Sequence, residues 1–240
     1  MTIFRLLLVI AMACAAGASA EAAACPEVLG DAKRLAVVSV PDMGTTAGTL
    51  RTFERADASA AWRETGGPQS VVIGRSGLGW GHPFAALARP GEPVKREGDT
   101  KTPAGIYRLG ATFGFDAAER AGHMQLTPGV EFCVDDTGSP HYGRIVKRSE
   151  AGVGTRGENM GAEPLYKRGL VIDYPPTAAD RAGSCLFLHI WAGAGQGTAG
   201  CVAMPEAGVA RLQEWAGGGG AAIAIVSEDT ADRFAGCLPE

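Results

Sequence analysis

The sequence lacks the closely spaced histidine and cysteine pairs that usually bind a metal ion. It contains four histidines and six cysteines, but no C-x-x-C and no H-x-x-x-H spacing. Zinc sites are usually built from such closely spaced pairs. We therefore expect no bound metal.

Basic clusters and long apolar runs are also absent from the sequence. The 22 Lys and Arg residues are outnumbered by 26 Asp and Glu, and no basic stretch is interleaved with aromatic residues, which make up only 7% of the chain. This balance argues against nucleic acid as a partner. Beyond the first 20 residues no run reaches the roughly 18 apolar residues of a membrane helix. We expect no transmembrane segment in the mature chain.

The first 20 residues have the pattern of a signal peptide. Arg5 precedes an apolar stretch, and Ala18–Ala20 supplies an A-x-A cleavage site. We predict cleavage before Glu21, with the mature chain exported to the periplasm or cell envelope. A lipid anchor at Cys14 is the alternative, although Ala11 is an unfavourable residue three positions before an acylated cysteine.

Cleavage leaves an odd number of cysteines in an oxidising compartment, where thiols tend to pair. They are Cys25, Cys133, Cys185, Cys201 and Cys237. If four of these cysteines form two disulfides, the fifth keeps a free thiol. A leading reason for a free thiol in an exported protein is nucleophilic chemistry. Chain ends often lie close together, which favours Cys25–Cys237 and leaves Cys133–Cys185. Alternatively, Cys185 is a resolving thiol.

Short apolar or alternating segments between turn residues predict a mainly β fold with a few helices. The predicted strands cover residues 35–40, 49–55, 70–73, 105–109, 169–174, 184–191 and 221–226, and the first three suggest an antiparallel sheet. Pro205–Trp215 is the best helix because proline suits a first helical position. Residues 110–168 show no clear pattern. No long linker is visible, so residues 21–240 are expected to form one domain.

His189 and Cys201 stand at the two ends of a glycine-rich loop that can fold back on itself. An adjacent imidazole and a helix N-terminus lower the pKa of a thiol, and the predicted helix starts just after Cys201. The backbone N–H groups of Ala199, Gly200 and Cys201 can converge as an oxyanion hole. We therefore predict Cys201 as a nucleophile and His189 as its general base.

Two other interpretations of this loop compete with catalysis. Gly195, Gly197 and Gly200 match the G-x-G-x-x-G pattern of dinucleotide binding, but only 40 residues follow Gly200, too few for that fold. We therefore expect no nucleotide cofactor. The second interpretation is an exported structural domain in which His189 and Cys201 are simply buried.

The segments around these two residues resemble a known family. Leu188-His189, followed by residues 198–204 (TAGCVAM), is similar to the signature of the YkuD-type L,D-transpeptidases. Residues 97–107 (EGDTKTPAGIY) resemble that family's T-P-x-G-x-[FY] strand, and residues 74–80 and 133–136 resemble an exported subgroup. The likeness spans about residues 35–226.

The resemblance implies a β-sandwich with a helix beside the active site, and a cysteine acyl-transferase acting on peptidoglycan stem peptides. Cys201 would attack the carbonyl of a diamino acid joined to D-alanine, and His189 would move the proton. Capture of the acyl-enzyme by an amine gives a cross-link, and capture by water makes the enzyme a hydrolase. No metal or cofactor is implied.

The sequence departs from the family's pattern at three places. Thr198 replaces a serine, Ala199 a frequent second histidine, and Ala203 an arginine. The changes at Ala199 and Ala203 leave open the alternative of a catalytically inactive wall-binding module, whereas Thr198 keeps the hydroxyl. The remaining candidates for substrate contacts are Thr198, Trp191, Arg144 and Tyr142. Either Asp173 or a backbone carbonyl can orient His189.

Overall fold

The computed structural model describes residues 25–117, 121–217 and 219–239. The predicted signal peptide, Met1–Ala20, and the alternative anchor at Cys14 lie outside the described residues.

The described part of the chain is mainly β with a few helices, which confirms the predicted fold class. The strands are β1 (Arg34–Val40), β2 (Ala47–Glu54), β3 (Arg63–Val72), β4 (Leu78–Trp80), β5 (Thr102–Gly114), β6 (His123–Gln125), β7 (Glu131–Val134), β8 (Ile145–Lys147), β9 (Gly157–Asn159), β10 (Arg168–Asp173), β11 (Phe187–Ile190), β12 (Val202–Met204) and β13 (Ala221–Ser227). The α-helices are α1 (Glu27–Gly30) and α2 (Glu206–Ala216). Short 3-10 turns cover His82–Leu87, Met160–Ala162, Pro164–Lys167 and Ala231–Phe234.

The main sheet closes on itself. Its strand order is β10-β11-β12-β3-β2-β1-β13-β5-β4, and β10 also pairs with β5, which joins eight strands in a ring. β1, β2 and β3 are antiparallel, as predicted. β1–β13 and β11–β12 are parallel pairs. A second, three-stranded sheet has the order β8-β7-β9 and lies outside the ring.

Apolar residues of the ring form the main core, with the strand β13 buried along its whole length. Leu35 and Val38 of β1 and Leu50 of β2 are fully buried with it. Burying such side chains contributes about 1.5–3 kcal/mol each. This core fixes the position of β11 and β12 within the ring.

Helix α2 is fastened to the strands beside the site. Its bounds agree with the predicted helix within one residue. The side chain of the buried Gln213 donates to the carbonyls of Phe113 and Gly169, both at 2.8 Å. Because Gly169 pairs with His189 across β10 and β11, the helix is held against the strand that carries the histidine.

Two disulfides fix the ends and the small sheet. Cys25 bonds to Cys237, and Cys133 of β7 bonds to Cys185, which is the pairing favoured from the sequence. Cys201 is the free cysteine among the described residues. Disulfides of this kind are typical of proteins that fold in an oxidising compartment.

The strand predicted over residues 184–191 is shorter in the structure and covers Phe187–Ile190. Cys185 has a φ of 52°, a left-handed conformation that breaks an extended strand. Cys185 therefore does not continue the face shared by Phe187 and His189. None of the helices in the described residues is long and apolar enough to cross a membrane.

Candidate active site

His189 and Cys201 both line a cavity of about 730 Å³. β11 and β12 are parallel neighbours in which His189 pairs with Ala203. Cys201 lies two residues before Ala203 and directly precedes β12. Adjacent strands are about 4.8 Å apart, and two residues span roughly 6.6 Å along a strand. The imidazole and the thiol are thus carried by neighbouring segments of the sheet and line the same cavity.

A backbone carbonyl orients His189. Its Nδ1 donates to the carbonyl of Ile190 at 2.7 Å, which leaves Nε2 as the proton acceptor. Nε2 has no hydrogen-bond partner among the described residues. Burial lowers the pKa of His189, so the ring is neutral at neutral pH. Of the two orienting groups considered from the sequence, the exposed Asp173 is not the one used.

The thiol of Cys201 is buried and held by backbone groups. It accepts from the N–H of Phe187 at 3.4 Å and donates to the carbonyl of Cys185 at 3.5 Å. Burial raises the pKa of Cys201 to about 12, and the charge of Glu158 acts in the same direction. The Phe187 N–H, the Lys95 charge and the Tyr166 hydroxyl lower that pKa, but by less.

The sequence-based prediction that a helix N-terminus lowers the pKa of Cys201 is wrong. Strand β12 separates the cysteine from helix α2, which begins only at Glu206. The helix dipole acts only over the first turn. In this resting state Cys201 is a neutral thiol beside a neutral imidazole.

The segment before Cys201 is held by side-chain hydroxyls. Thr198 Oγ1 accepts from the N–H of Gly200 at 3.0 Å and donates to the carbonyl of Cys201 at 2.6 Å. Thr102 Oγ1 donates to the carbonyl of Gly200 at 2.7 Å. The Gly200 amide is therefore engaged, which removes it from the predicted oxyanion hole in this state. For Ala199 and Cys201 the role stays a prediction.

Gly200 cannot carry a side chain without strain. Its φ is 154°, and a Cβ there would lie 3.2 Å from the carbonyl oxygen of Lys101. The glycine thus lets the nucleophile loop pass close to the segment that precedes β5.

The residues predicted to contact a substrate differ in whether they line the cavity. Thr198 lines the cavity, but its hydroxyl is committed to the loop. Trp191, Arg144 and Tyr142 do not line the cavity. Arg144 is exposed, and the buried Tyr142 donates its hydroxyl to Glu97 at 2.5 Å. The cavity lining therefore gives no support to substrate contacts by Trp191, Arg144 or Tyr142, and those contacts stay predictions.

Three residues that line the cavity were not predicted from the sequence as site residues. The Tyr166 ring stands edge-on to His189, with centroids 5.1 Å apart, and its hydroxyl donates to Glu158 at 2.7 Å. Burial raises the pKa of the Glu158 carboxyl. Lys95 is the third. Tyr166 and Glu158 lie in the segment without a sequence pattern, and Lys95 lies in a turn-rich stretch, so no periodicity marked them.

Among the described residues, no group of three His, Cys, Asp or Glu side chains is placed to hold a metal ion.

Comparison with known proteins gives a weak structural likeness. No family model matches the chain, and no curated protein matches it. The fold is similar to two crystal structures of the helical cell shape determining protein Pgp2 from Campylobacter jejuni, one of them a point mutant. Identity is 14% in both, over 86% of this chain, with TM-scores of 0.42 for the mutant and 0.39 for the other. The chain spans only 56% and 57% of the length of those two chains. A likeness at this level identifies neither a family nor a function.

Proposed function

We propose that this protein is an exported cysteine acyl-transferase of the L,D-transpeptidase type that acts on peptidoglycan stem peptides. One observation carries the proposal: the free thiol of Cys201 lines the same cavity as His189, whose Nδ1 is fixed by a carbonyl. A nucleophile, a base with a free nitrogen and an orienting group form the arrangement that nucleophilic catalysis uses. The choice of substrate rests on the resemblance of residues 97–107 and 198–204.

In the first half-reaction the thiol proton moves to Nε2 of His189 as sulfur attacks the carbonyl carbon of the diamino acid. The resulting oxyanion is stabilised by backbone amides near Cys201. Collapse breaks the C–N bond to D-alanine, and the protonated His189 gives its proton to the leaving amine. A thioester on Cys201 and free D-alanine result.

In the second half-reaction His189 accepts a proton from the incoming nucleophile. An amine of a second stem peptide gives an amide cross-link, and water gives a shortened peptide. Both regenerate the Cys201 thiol. The two products separate the transferase from the hydrolase that acts on the same bond.

A second candidate, an inactive wall-binding module, is favoured by the burial of the nucleophile. With a pKa of about 12, Cys201 is almost entirely protonated in the free protein. A catalytic Cys201 must therefore ionise during attack, with His189 accepting its proton. An inactive module would keep the same geometry without this transfer.

The proposal is tested by D-alanine release from purified muropeptides. We expect release by the wild-type protein and a loss of at least about a thousandfold in Cys201→Ala, since the thiol is the attacking atom. Cys201→Ser, which keeps shape but is a poorer nucleophile, serves as the matched control for folding. Release that persists in Cys201→Ala would exclude this nucleophile, and muropeptide binding without release by the wild type would favour the inactive module. The reaction product, dimer or trimmed monomer, then assigns transfer or hydrolysis.

A further inference from the structure

The cavity that contains Cys201 has more acidic than basic side chains. The carboxylates that line it are Glu97, Asp135, Glu158 and Glu163, and its permanent cations are Lys95 and Arg75. His189 and Tyr166 are the other titratable groups beside the thiol. Arg75 is exposed to solvent, whereas the Lys95 side chain is only 3% exposed. Lys95 is therefore the buried cation of this cavity among the described residues.

The ammonium group of Lys95 is fixed next to the nucleophile loop. Nζ donates to the carbonyl of Arg96 at 2.7 Å and to Asp99 Oδ1 at 2.6 Å. Asp99 is itself held by the N–H groups of Arg96 and Lys101. A Cβ on Gly200 would lie 3.9 Å from Nζ, so the charge sits beside the residue that precedes Cys201.

The hydrogen bonds of Lys95 leave one donor free. An ammonium group carries three N–H donors, and two have partners among the described residues. A buried donor without a partner carries a desolvation cost, which an anion in the cavity would relieve. The third donor belongs to a side chain that lines the cavity.

We propose that Lys95 stabilises negative charge at Cys201, on the sulfur when it ionises and on the oxyanion that follows. This inference rests on the proposed function, because only a nucleophilic Cys201 needs such a charge. An ammonium in a water-poor site acts strongly on a nearby anion, since little solvent screens it. Asp99 weakens the effect, as its carboxylate is paired with the same group.

Glu158, which also lines the cavity, acts on Cys201 in the opposite direction to Lys95. Its carboxylate is held by the Tyr166 hydroxyl, and its charge disfavours an anion on Cys201, whereas the Lys95 charge favours one. Neutralising either residue should therefore change the reactivity of the same sulfur in opposite directions. If Lys95 had only a structural role, the two substitutions would not change the reactivity of Cys201 in opposite directions.

The test is the alkylation rate of Cys201 by iodoacetamide in the intact protein, followed by peptide mass mapping between about pH 8 and pH 9.5. Thiolate is the reacting form, and an opposite charge within about 4–6 Å shifts a pKa by 1–3 units. Because Asp99 partly cancels the charge, we expect Lys95→Met to slow alkylation about tenfold. Glu158→Gln should accelerate it. Lys95→Arg, which keeps the charge, should stay within about threefold of wild type.

Two further measurements separate charge from structure. Lys101→Met is the matched control, because Lys101 donates to the Ser76 carbonyl on an exposed part of the same segment and does not line the cavity. The rate ratio of anionic iodoacetate to neutral iodoacetamide should fall in Lys95→Met and rise in Glu158→Gln. If Lys95→Met does not fold, Lys95→Gln, which removes the charge but keeps a hydrogen-bond donor, is assayed instead.

Unchanged rates and ratios in a folded variant without the Lys95 charge would overturn the inference. So would a shift of the same sign in Lys95→Met and Glu158→Gln. Alkylation needs no peptidoglycan, so this result is independent of D-alanine release. A chain that releases no D-alanine but shows the opposite shifts refutes the substrate and keeps the electrostatic role.

Discussion

His189→Gln should lower D-alanine release about 10²–10⁴-fold, the range in which a general base contributes to catalysis. The variant keeps a polar side chain in β11 but removes the nitrogen that accepts the thiol proton. With the pKa of Cys201 near 12, the free protein holds almost no thiolate at neutral pH. Attack therefore depends on proton transfer at the moment of reaction, and a glutamine cannot accept that proton.

The pH profile distinguishes a lost base from a distorted site. Burial lowers the folded-state pKa of His189 below its ordinary value of about 6.5. The wild-type rate should therefore persist below pH 6.5 and fall only when the ring becomes protonated. In His189→Gln this acidic limb should disappear. His123→Gln is the matched control, because His123 hydrogen-bonds to Thr112 and Asp116 and does not line the cavity. A His189→Gln enzyme with wild-type rate and profile would contradict the assigned base.

Removing the two disulfides one at a time should give similar losses of stability but different effects on the thiol. Cys25→Ala with Cys237→Ala opens a link across 212 residues, and Cys133→Ala with Cys185→Ala opens one across 52. Removing a native disulfide typically costs about 2–5 kcal/mol. Denaturant unfolding of each double variant measures that loss in the free energy of unfolding.

Only the second double variant should change the reactivity of Cys201. The carbonyl of Cys185 accepts from the Cys201 thiol, and Cys185, which has a left-handed conformation, is bonded to Cys133 of β7. Without the bond, this segment should relax and expose the sulfur, and iodoacetamide should react several times faster. The Cys25 and Cys237 variant supplies the comparison, because its disulfide lies at the chain ends. Equal alkylation rates in both double variants would show that the Cys133–Cys185 bond does not shape the site.

The sequence predicted those parts of the fold that depend on local patterns. Residues 221–226 form a continuous apolar run and became the buried strand β13, and the helix prediction at 205–215 was right within one residue. β5 was predicted over five residues but extends from Thr102 to Gly114. Its glycines weakened the pattern, although Gly105 is required there because a Cβ would lie 2.3 Å from the Phe84 ring.

The residues that surround Cys201 and His189 could not be predicted from local sequence patterns. The pairing of β11 with β12 is parallel and follows from the closure of the sheet, which no single segment encodes. No strand was predicted between Cys201 and the helix, so the helix N-terminus was expected to lower the pKa of Cys201, and that direction was wrong. Glu158 and Tyr166 reach the cavity from the small sheet and the turn after it, so only the tertiary fold places them beside His189.

The most direct test of the account is to trap the acyl-enzyme. The intact protein is mixed with a stem peptide that ends in D-alanine, quenched in acid, digested without reduction and mapped by mass spectrometry. We predict a Cys201 peptide heavier by the mass of the donor less D-alanine, with both disulfides intact. Free D-alanine in the same sample with Cys201 unmodified at every time point, or with the acyl group on another residue, would contradict the account.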